Sequence, residues 1–360
     1  MKKDIGQAGS SSVAADNLQT PFLSVIIAVR NEERYISGTL RELQEQDYPP
    51  GQVEFLVCDG MSTDGTRKIV TQMAAQDKRI RLLDNPRLRS SSGRNVGFRA
   101  GRGDLFLVID GHVEIGNRQL FRNVADCFSD SGADCLGRPQ PLIAASDSPW
   151  ALAIIDARRS LLGRNPASLI YSDYEGLAPA ATNGAAYRRS VFSQIGYVDE
   201  TFDACEDLEF NTRADLAGLR CFTSPKLTVK YFARDSVRAL FIQQFRYGFG
   251  RFKYVTRHPS HLSVSQLAPP GLIMALAVTL LGPLLPNWLW MPALAAVIIY
   301  AVTVVSVSVG LAARLRRWRC FFRYLVVFPT IHLGVGAGFL VSLARAGRIS
   351  TVDRPPLRKK

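Results

Sequence analysis

Residues 258–313 contain no Asp, Glu, Lys or Arg, and this uncharged stretch is the strongest constraint on the fold. Most residues from 268 onward are apolar, and one membrane-crossing helix needs about 20 such residues in a row. The segment 268–313 is therefore long enough to cross a membrane twice. Gly-Pro and Pro-Asn pairs within 282–287 predict the turn, and Trp288 and Trp290 lie where a membrane interface is expected.

A third uncharged run, 324–344, is broken by a proline and by glycines. If the N-terminal part is cytoplasmic, a hairpin formed by 268–313 returns the basic residues of 314–319 to the cytoplasm, as the positive-inside rule requires. A third full span would place the basic tail 345–360 outside, against that rule. The run 324–344 is therefore either a full span or a re-entrant or interfacial segment, and the membrane domain 268–344 has two or three helices.

The formal net charge of +13 is concentrated near the C-terminus. Residues 314–360 carry eleven Lys and Arg and one acid, so the first 313 residues account for only the remaining +3. A nucleic-acid-binding protein usually spreads its basic residues over a folded face. Basic residues that follow apolar segments instead indicate cytoplasmic anchoring against anionic lipid. We therefore expect membrane lipids, and no nucleic acid, as partners.

The six cysteines form no Cys-x-x-Cys pair, so a zinc site is not expected. Nothing in their spacing suggests a disulfide framework, which fits a reducing compartment. The N-terminus has no apolar stretch, so no signal peptide is expected. Residues 1–20 are rich in Ser, Ala and Gln and are expected to be disordered.

Upstream of the apolar segments, strand and helix patterns alternate along the chain. Apolar, β-branched runs predict buried parallel strands, and helical spacing with capping residues predicts the helices between them. This β-α-β-α-β-α-β order implies an α/β domain, assigned to residues 21–235, with a parallel sheet and right-handed crossovers. The predicted strands are 23–29, 53–58, 80–83 and 104–109, and the predicted helices are 31–46, 66–75 and 93–100.

Acidic side chains follow several of these strands. Ligands of such sheets bind beyond the carboxyl ends of the strands, where residues 30–32, Asp59 and Asp110 lie. Asp59 could accept a hydrogen bond from a uracil imide or a ribose hydroxyl, although a solvated turn with a helix cap has the same sequence. Asp110 and His112 could hold one divalent ion that neutralises a diphosphate, or could form another β-turn.

Two later segments also carry candidate chemistry. Glu206 and Asp207 precede a predicted helix, where acids are favoured by the helix dipole, but a carboxylate there could also take the proton of a hydroxyl nucleophile. The aromatic and basic segment 236–267 is expected to be an amphipathic helix at a membrane interface. Within it, Arg246 could pair with a phosphate and Tyr247 could stack on a sugar face.

Together these residues resemble family-2 glycosyltransferases with the GT-A fold, a nucleotide-sugar-binding fold with a Rossmann-like mixed sheet, over about residues 22–250. The order of the motifs makes the resemblance specific. The matching segments are 24–32 (first strand and nucleotide loop), 58–66 (D-G-S-x-D-x-T element), 93–104 (R-N-x-G…G-D element), 110–112 (D-x-D position), 183–196 (acceptor-side segment), 206–207 (E-D motif) and 243–247 (Q-Q-x-R-W motif).

The resemblance implies a nucleotide-sugar donor and a divalent metal, Mn²⁺ or Mg²⁺. Asp59 would contact the base, Asp110 would hold the ribose and, with His112, the metal. Asp207 would deprotonate the acceptor. The other implied residues are Ala28, Arg30, Glu32 and Arg94 for the nucleotide sugar, Glu206 for catalysis, and Asn183, Gly184, Gln243, Gln244, Arg246 and Tyr247 for the acceptor and its diphosphate.

The D-x-H form and the membrane tail are most similar to exopolysaccharide transferases of the succinoglycan type. His112 replaces the usual acid, for which Glu114 could substitute, and Tyr247 replaces a tryptophan. The tyrosine and the short membrane part argue against a synthase that threads its own polymer.

The implied function is inverting transfer of a hexose, glucose from UDP-glucose, to a lipid-linked saccharide. The implied location is the bacterial inner membrane, with several spans and a cytoplasmic catalytic domain. Two alternatives remain: transfer to a membrane lipid or a polyprenyl phosphate, and a non-catalytic membrane scaffold that keeps the fold.

Overall fold

A computed structural model describes residues 20–145 and 148–349 of the chain. The predicted disorder of residues 1–20 and the predicted basic tail lie largely outside these described residues. The strands are β1 (Leu23–Val29), β2 (Val53–Asp59), β3 (Ile80–Asp84), β4 (Leu105–Val108), β5 (Val113–Glu114), β6 (Cys135–Gly137), β7 (Leu142–Ile143), β8 (Gly176–Leu177), β9 (Gly184–Arg188), β10 (Cys221–Thr223) and β11 (Lys230–Phe232). The helices are α1 (Ile36–Gln44), α2 (Thr66–Gln76), α3 (Ser90–Ala100), α4 (Leu120–Ser131), α5 (Pro149–Arg159), α6 (Arg189–Ile195), α7 (Glu206–Leu216), α8 (Val237–Arg257), α9 (Val264–Leu280), α10 (Asn287–Arg314) and α11 (Phe321–Ile349).

The larger sheet has the strand order β3-β2-β1-β4-β9-β6-β10-β8. Its first four strands are parallel, as the alternating pattern predicts. β9 then pairs antiparallel with both β4 and β6, so the sheet as a whole is mixed. A smaller sheet with the order β5-β11-β7 lies beside it. This mixed α/β architecture confirms the predicted fold class.

The helix predicted over 31–46 begins five residues later than expected, at Ile36. Asn31 has a left-handed backbone with φ 58°, which an α-helix does not accommodate. Its side-chain oxygen accepts a hydrogen bond from the Thr63 backbone N–H at 2.9 Å. The residues after β1 therefore form a loop that is tied to the loop after β2.

The central strand β1 is buried on both faces of the sheet. Val25 and Ile27 contribute to one apolar core, which also contains Phe55 and Phe121, whereas Ile26 contributes to the opposite core. Successive strand residues point to opposite faces, so this division follows directly from the strand period of two. The result is a rigid three-layer frame whose strand ends hold the polar side chains of the site.

The uncharged stretch 258–313 contains two helices, α9 and most of α10, joined by the predicted turn at 282–287. Two helices are long and apolar enough to cross a membrane, Asn287–Arg314 and Trp318–Ala346. The helix Val264–Leu280 is apolar but shorter, with 17 residues. Of the two helices predicted within 268–313, α10 meets this length criterion and α9 falls just short of it. Helix α11, which follows them, also meets it.

Helices α8 and α11 pack closely through glycines. A Cβ added at Gly248 would collide with the Val335 backbone, and one added at Gly338 would collide with the Phe245 carbonyl. Small residues allow such close backbone approach between helices. On another face of α8, a Cβ at Gly250 would collide with the Ala204 carbonyl. Helix α8 is therefore held between α11 and the loop that precedes α7.

The start of α11 lies beside α5, and its end lies beside α8. Just before its start, Arg317 donates to both carboxylate oxygens of Asp156 on α5 at 2.8 and 2.9 Å. Tyr324 donates to the same carboxylate at 2.7 Å. Near its end, the Arg345 guanidinium lies 5.5 Å from the Phe249 ring of α8. One side of α11 thus contacts α5 and α8 over most of its length.

Candidate active site

Asp59, at the end of β2, is completely buried. Its carboxylate accepts hydrogen bonds from the Ser62 backbone N–H at 3.1 Å and from Arg67 Nη1 at 2.7 Å. Arg67 also lies 2.8 Å from Asp84 at the end of β3. A nucleobase contact at Asp59 would therefore be shared with, or displace, this network.

The predicted nucleotide residues after β1 have different surroundings. Ala28 lies against the first turn of α3, because a Cβ at Gly93 would be 3.1 Å from the Ala28 Cβ. Arg30, directly after β1, is exposed. Glu32 is partly buried, and its Oε1 lies 2.9 Å from His112 Nδ1.

Asp110 lies where β4 ends. Its Oδ2 accepts from Gln140 Nε2 at 3.1 Å, and its Oδ1 lies 3.9 Å from Arg94 Nη2. Burial raises the pKa of Asp110, but the positive charges of Arg94, His112 and Arg138 outweigh burial and lower it. The carboxylate is therefore held ionised, as a metal ligand or a hydroxyl acceptor must be.

His112 is nine-tenths buried beside two tyrosines. The Tyr231 ring meets it edge to face at 4.5 Å, and Tyr35 lies on another side. Within the described residues neither ring nitrogen has a hydrogen-bond partner, and the 2.9 Å approach of Glu32 has the distance but not the geometry of one. An imidazole buried without a partner fits a metal ligand.

The protein by itself offers an ion only part of a coordination shell. In the described part of the chain, no three or more His, Cys, Asp or Glu side chains are grouped so as to hold a metal. Glu114, the alternative to His112, instead accepts from Lys230 Nζ at 2.7 Å. Asp110 and His112 therefore fit an ion that takes its remaining ligands from a donor diphosphate and water.

Glu206 and Asp207 follow Cys205, which has a left-handed backbone with φ 64°. Glu206 is buried, and its Oε1 accepts from the Ser90 hydroxyl and lies 3.4 Å from Arg94 Nη1. Asp207 is exposed and has no ion-pair partner in the described residues. The turn at Cys205 thus points two consecutive acids into opposite environments.

A cavity of about 930 Å³ begins at Asp110 and Asp207 and extends to the C-terminal helices. Near the sheet it is lined by Asn183 and Gly184. At its far end it is lined by α9, α10 and α11, through Pro269, Leu272, Tyr300, Ile331, His332 and Val335. One continuous space therefore joins Asp110 and Asp207 to the apolar helices.

The structure divides the predicted acceptor residues of α8 into two groups. Gln244 and Tyr247 line the cavity. Gln243 lies outside it and accepts from Arg158 Nη1 at 3.2 Å. Arg246 is half exposed and donates to Asp203 Oδ2 at 3.0 Å, away from the cavity.

Four cavity-lining arginines were not predicted from the sequence: Arg138, Arg158, Arg164 and Arg251. Arg138 follows directly after β6, so the strand-end rule that selected Asp59 and Asp110 would have found it had β6 been recognised. Its Nη2 donates to the Val108 carbonyl at 3.0 Å. Burial lowers the pKa of Arg138 to about 10, which leaves it charged at neutral pH.

A comparison of the sequence with known protein families agrees with this arrangement. A family model described as "Glycosyltransferase like family 2" covers residues 20–250, which includes every strand of both sheets. The chain belongs to this glycosyltransferase family. The predicted membership is thereby confirmed, and the chain is a transferase of sugars.

Two relatives span most of this glycosyltransferase. It is 30% identical over 281 residues to the succinoglycan biosynthesis protein ExoA of Rhizobium meliloti, covering 78% of this chain and 82% of the relative. It is 24% identical over 279 residues to the dolichyl N-acetyl-alpha-D-glucosaminyl phosphate 3-beta-D-2,3-diacetamido-2,3-dideoxy-beta-D-glucuronosyltransferase of Methanococcus voltae, covering 73% of this chain and 83% of the relative. The glycosyltransferase is thus related to enzymes of exopolysaccharide and lipid-linked sugar synthesis.

Among solved structures, this glycosyltransferase is similar to the mannosyltransferase PcManGT from Pyrobaculum calidifontis, described in complex with GDP-Man and Mn²⁺. The TM-score is 0.56 at 19% identity, and the match covers 92% of this chain and 90% of the other. At that identity the likeness establishes the fold.

Proposed function

We propose that this glycosyltransferase transfers a hexose, glucose from UDP-glucose, to a lipid-linked saccharide during exopolysaccharide assembly. The observation that carries the proposal is the single cavity that joins Asp110 and Asp207 to α9, α10 and α11. A lipid held among these apolar helices would leave its sugar beside the catalytic carboxylates. The succinoglycan biosynthesis relative supports exopolysaccharide as the product class.

In the proposed reaction Asp207 is the general base. It accepts the proton of the acceptor hydroxyl as the hydroxyl oxygen attacks the anomeric carbon, and the nucleoside diphosphate leaves from the opposite face. One such displacement inverts the anomeric carbon. Glu206 is unsuited to this role because Arg94 and Ser90 already engage its carboxylate. Asp207 is exposed, lines the cavity and has no ion-pair partner among the described residues, so its carboxylate can take the proton.

Asp110 and His112 would hold the divalent ion. Such an ion neutralises charge on the departing diphosphate. The Mn²⁺ named for PcManGT, a protein of the same fold, supports a metal-dependent reaction. Arg94 lies between the two acidic groups, at 3.9 Å from Asp110 and 3.4 Å from Glu206, and is placed to bind a donor phosphate. The loop residues 30–32 and Asp59 complete the proposed nucleotide side.

We place the enzyme at the cytoplasmic face of the inner membrane, with α9 and α10 crossing as a hairpin, because the 17 residues of α9 are close to the length that one span needs. The basic loop before α11 is joined to the catalytic half through the Arg317–Asp156 pair, which agrees with a cytoplasmic position. The contact of Arg345 with Phe249 brings the end of α11 back beside α8. This packing supports the interfacial alternative for residues 324–344, which also keeps the basic tail inside.

A donor screen tests the proposal. Purified full-length protein is mixed with lipid extract and UDP-glucose, UDP-N-acetylglucosamine or GDP-mannose, and both released nucleotide and labelled lipid on thin-layer plates are measured. We expect UDP release with UDP-glucose and label in an acid-labile, lipid-linked saccharide. Label in a neutral, acid-stable glycolipid would instead identify a membrane-lipid acceptor. Absence of nucleotide release with every donor would support the scaffold alternative.

A further inference from the structure

The cavity contains several buried hydrogen-bond donors that have no partner among the described residues. They are Arg138 Nε and Nη1, Arg164 Nε, Asn183 Nδ2 and Gln244 Nε2, and all four residues line the cavity. No side-chain acceptor oxygen of the described cavity lining is left unpaired in the same way. Because buried donors are usually satisfied, these atoms favour a ligand that is rich in acceptor oxygens.

The charged side chains that line the cavity also favour an anionic ligand. Its described lining has five arginines but only two carboxylates, Asp110 and Asp207. A single nucleoside diphosphate near Asp110 would meet the arginines at that end only. The remaining positive charge favours a second anion in the same space.

The unpaired donors occupy two separate places. Arg138 and Asn183 are adjacent at the sheet, since the Arg138 backbone N–H donates to the Asn183 carbonyl at 3.1 Å. Arg138 also influences Asp110 electrostatically, so this pair belongs to the donor end. Gln244 lies on α8 against α11, where a Cβ at Gly334 would be 2.8 Å from the Gln244 Cβ.

Arg164 is fixed near the same part of α11. Two residues before it, the Leu162 carbonyl accepts a hydrogen bond from His332 Nε2 at 3.0 Å, while His332 Nδ1 lies 2.9 Å from the Tyr300 hydroxyl. A carbonyl can only accept, so Nε2 carries the proton. This chain of contacts connects the Arg164 segment to α10 and α11, at the membrane end of the cavity.

We propose that Arg164 and Gln244, supported by Arg158, form a second anion site that binds the phosphate group joining the acceptor saccharide to its lipid. The inference rests on the proposed function and makes it narrower, because a neutral glycolipid carries no such group. The phosphate would satisfy Arg164 Nε and Gln244 Nε2, and the lipid would continue between α9 and α11. The acceptor sugar would then extend toward Asp207.

The test uses three isoprenoid probes of equal chain length, farnesyl diphosphate, farnesyl monophosphate and farnesol, with the full-length protein in detergent micelles. Binding is measured by titration calorimetry, with and without saturating UDP. We expect both phosphates to bind at least about tenfold more tightly than farnesol, because hydrogen bonds to charged groups are the strong ones. The phosphate that binds with the higher affinity shows whether the site prefers a monophosphate or a diphosphate.

Variants locate the site. Arg164→Gln should weaken farnesyl diphosphate about tenfold while UDP affinity stays unchanged, and Gln244→Leu should act in the same direction. Arg122→Gln is the matched control, because Arg122 is exposed on α4 and pairs with Asp47. Retained UDP binding shows that a variant is folded.

Three results would overturn the inference. They are equal binding of farnesol and farnesyl diphosphate, complete displacement of farnesyl diphosphate by UDP, and unchanged phosphate binding in both cavity variants. Failure of every nucleotide to bind would instead contradict the proposed transferase function, so the two outcomes are distinguishable.

Discussion

The Glu206 carboxylate lies 3.4 Å from the guanidinium of Arg94. Because of this buried ion pair, Glu206 has a different role from the adjacent Asp207. The side chains of Arg94 and Glu206 are only 15% and 7% exposed, so their charges are poorly screened by water. Glu206 is therefore a fixed counter-charge that holds Arg94 near Asp110. Asp207 forms no ion pair among the described residues and therefore remains available for proton transfer.

Replacing Asp207 with Asn should abolish transfer and preserve donor binding. The amide cannot accept the hydroxyl proton, and loss of a general base costs about 10²–10⁴-fold in rate. The measurement is kcat for sugar transfer together with UDP affinity. Asp203→Asn is the control, because Asp203 is an exposed acid of the same loop that contacts Arg246. A variant that keeps more than half of the activity would show that another group is the base.

Removal of divalent ions should stop the reaction, and Mn²⁺ should restore it at least as well as Mg²⁺. Imidazole suits a transition ion better than Mg²⁺, which prefers an all-oxygen shell. His112→Ala should therefore weaken Mn²⁺ binding in the presence of UDP, as measured by electron paramagnetic resonance. Full activity in excess chelator would contradict the metal role of both Asp110 and His112.

A single methyl at Gly250 should impair catalysis. Gly250→Ala would push the Ala204 carbonyl away and shift the start of α7, where Asp207 lies, and a displacement of about 1 Å can reduce the rate about 10²-fold. UDP affinity should remain. Gly38→Ala on α1 is the control, because an added Cβ there meets nothing within 4 Å and should leave stability unchanged or raise it. Equal activity of the two variants would contradict the positioning role of α8.

Asp77 should stabilise the fold in a pH-dependent way. Burial raises its pKa, but hydrogen bonds from Arg79 and Gln44 outweigh burial and lower the pKa to about 2. A depressed carboxyl pKa contributes stability above the unfolded value of about 3.9, and this contribution is lost as the pH falls toward 2. Asp77→Asn should therefore destabilise the protein by about 2 kcal/mol at pH 7.

The measurement for Asp77 is the thermal midpoint of wild type and variant between pH 7 and pH 2.5. The difference should shrink as the pH falls below about 4. Asp130→Asn, an exposed acid on α4, should show little effect at any pH. A difference that is independent of pH would assign the effect to packing rather than to charge.

Deletion of residues 268–360 should release the protein from membranes and destroy transfer to a lipid-linked acceptor. The deletion removes most of α9 and all of α10 and α11, which form the far wall of the cavity, and it uncovers the glycine face of α8. Nucleotide binding should survive if residues 20–235 still fold, because the proposed nucleotide-binding residues all lie in that part of the chain. A soluble, fully active fragment would show that the membrane part is only a tether.

The sequence determined the strand ends and therefore the donor side of the site. β1 occupies the predicted residues without any shift, and Asp59 and Asp110 could be selected because strand period and strand ends are local properties. The same local reading missed β6 because it has only three residues. Arg138, which follows that strand, was missed with it.

Tertiary structure alone decided the acceptor side. Arg158 meets Gln243 across 85 residues of sequence, and Leu162 meets His332 across 170. No local pattern encodes such contacts, because they depend on how α5, α8 and α11 pack together. The same packing directs Arg246 outward to Asp203 and places Gln244 in the cavity, although both belong to one short motif on one helix. Sequence fixes which groups a segment carries, whereas the direction of each group follows from the neighbours that bury the other faces of its helix.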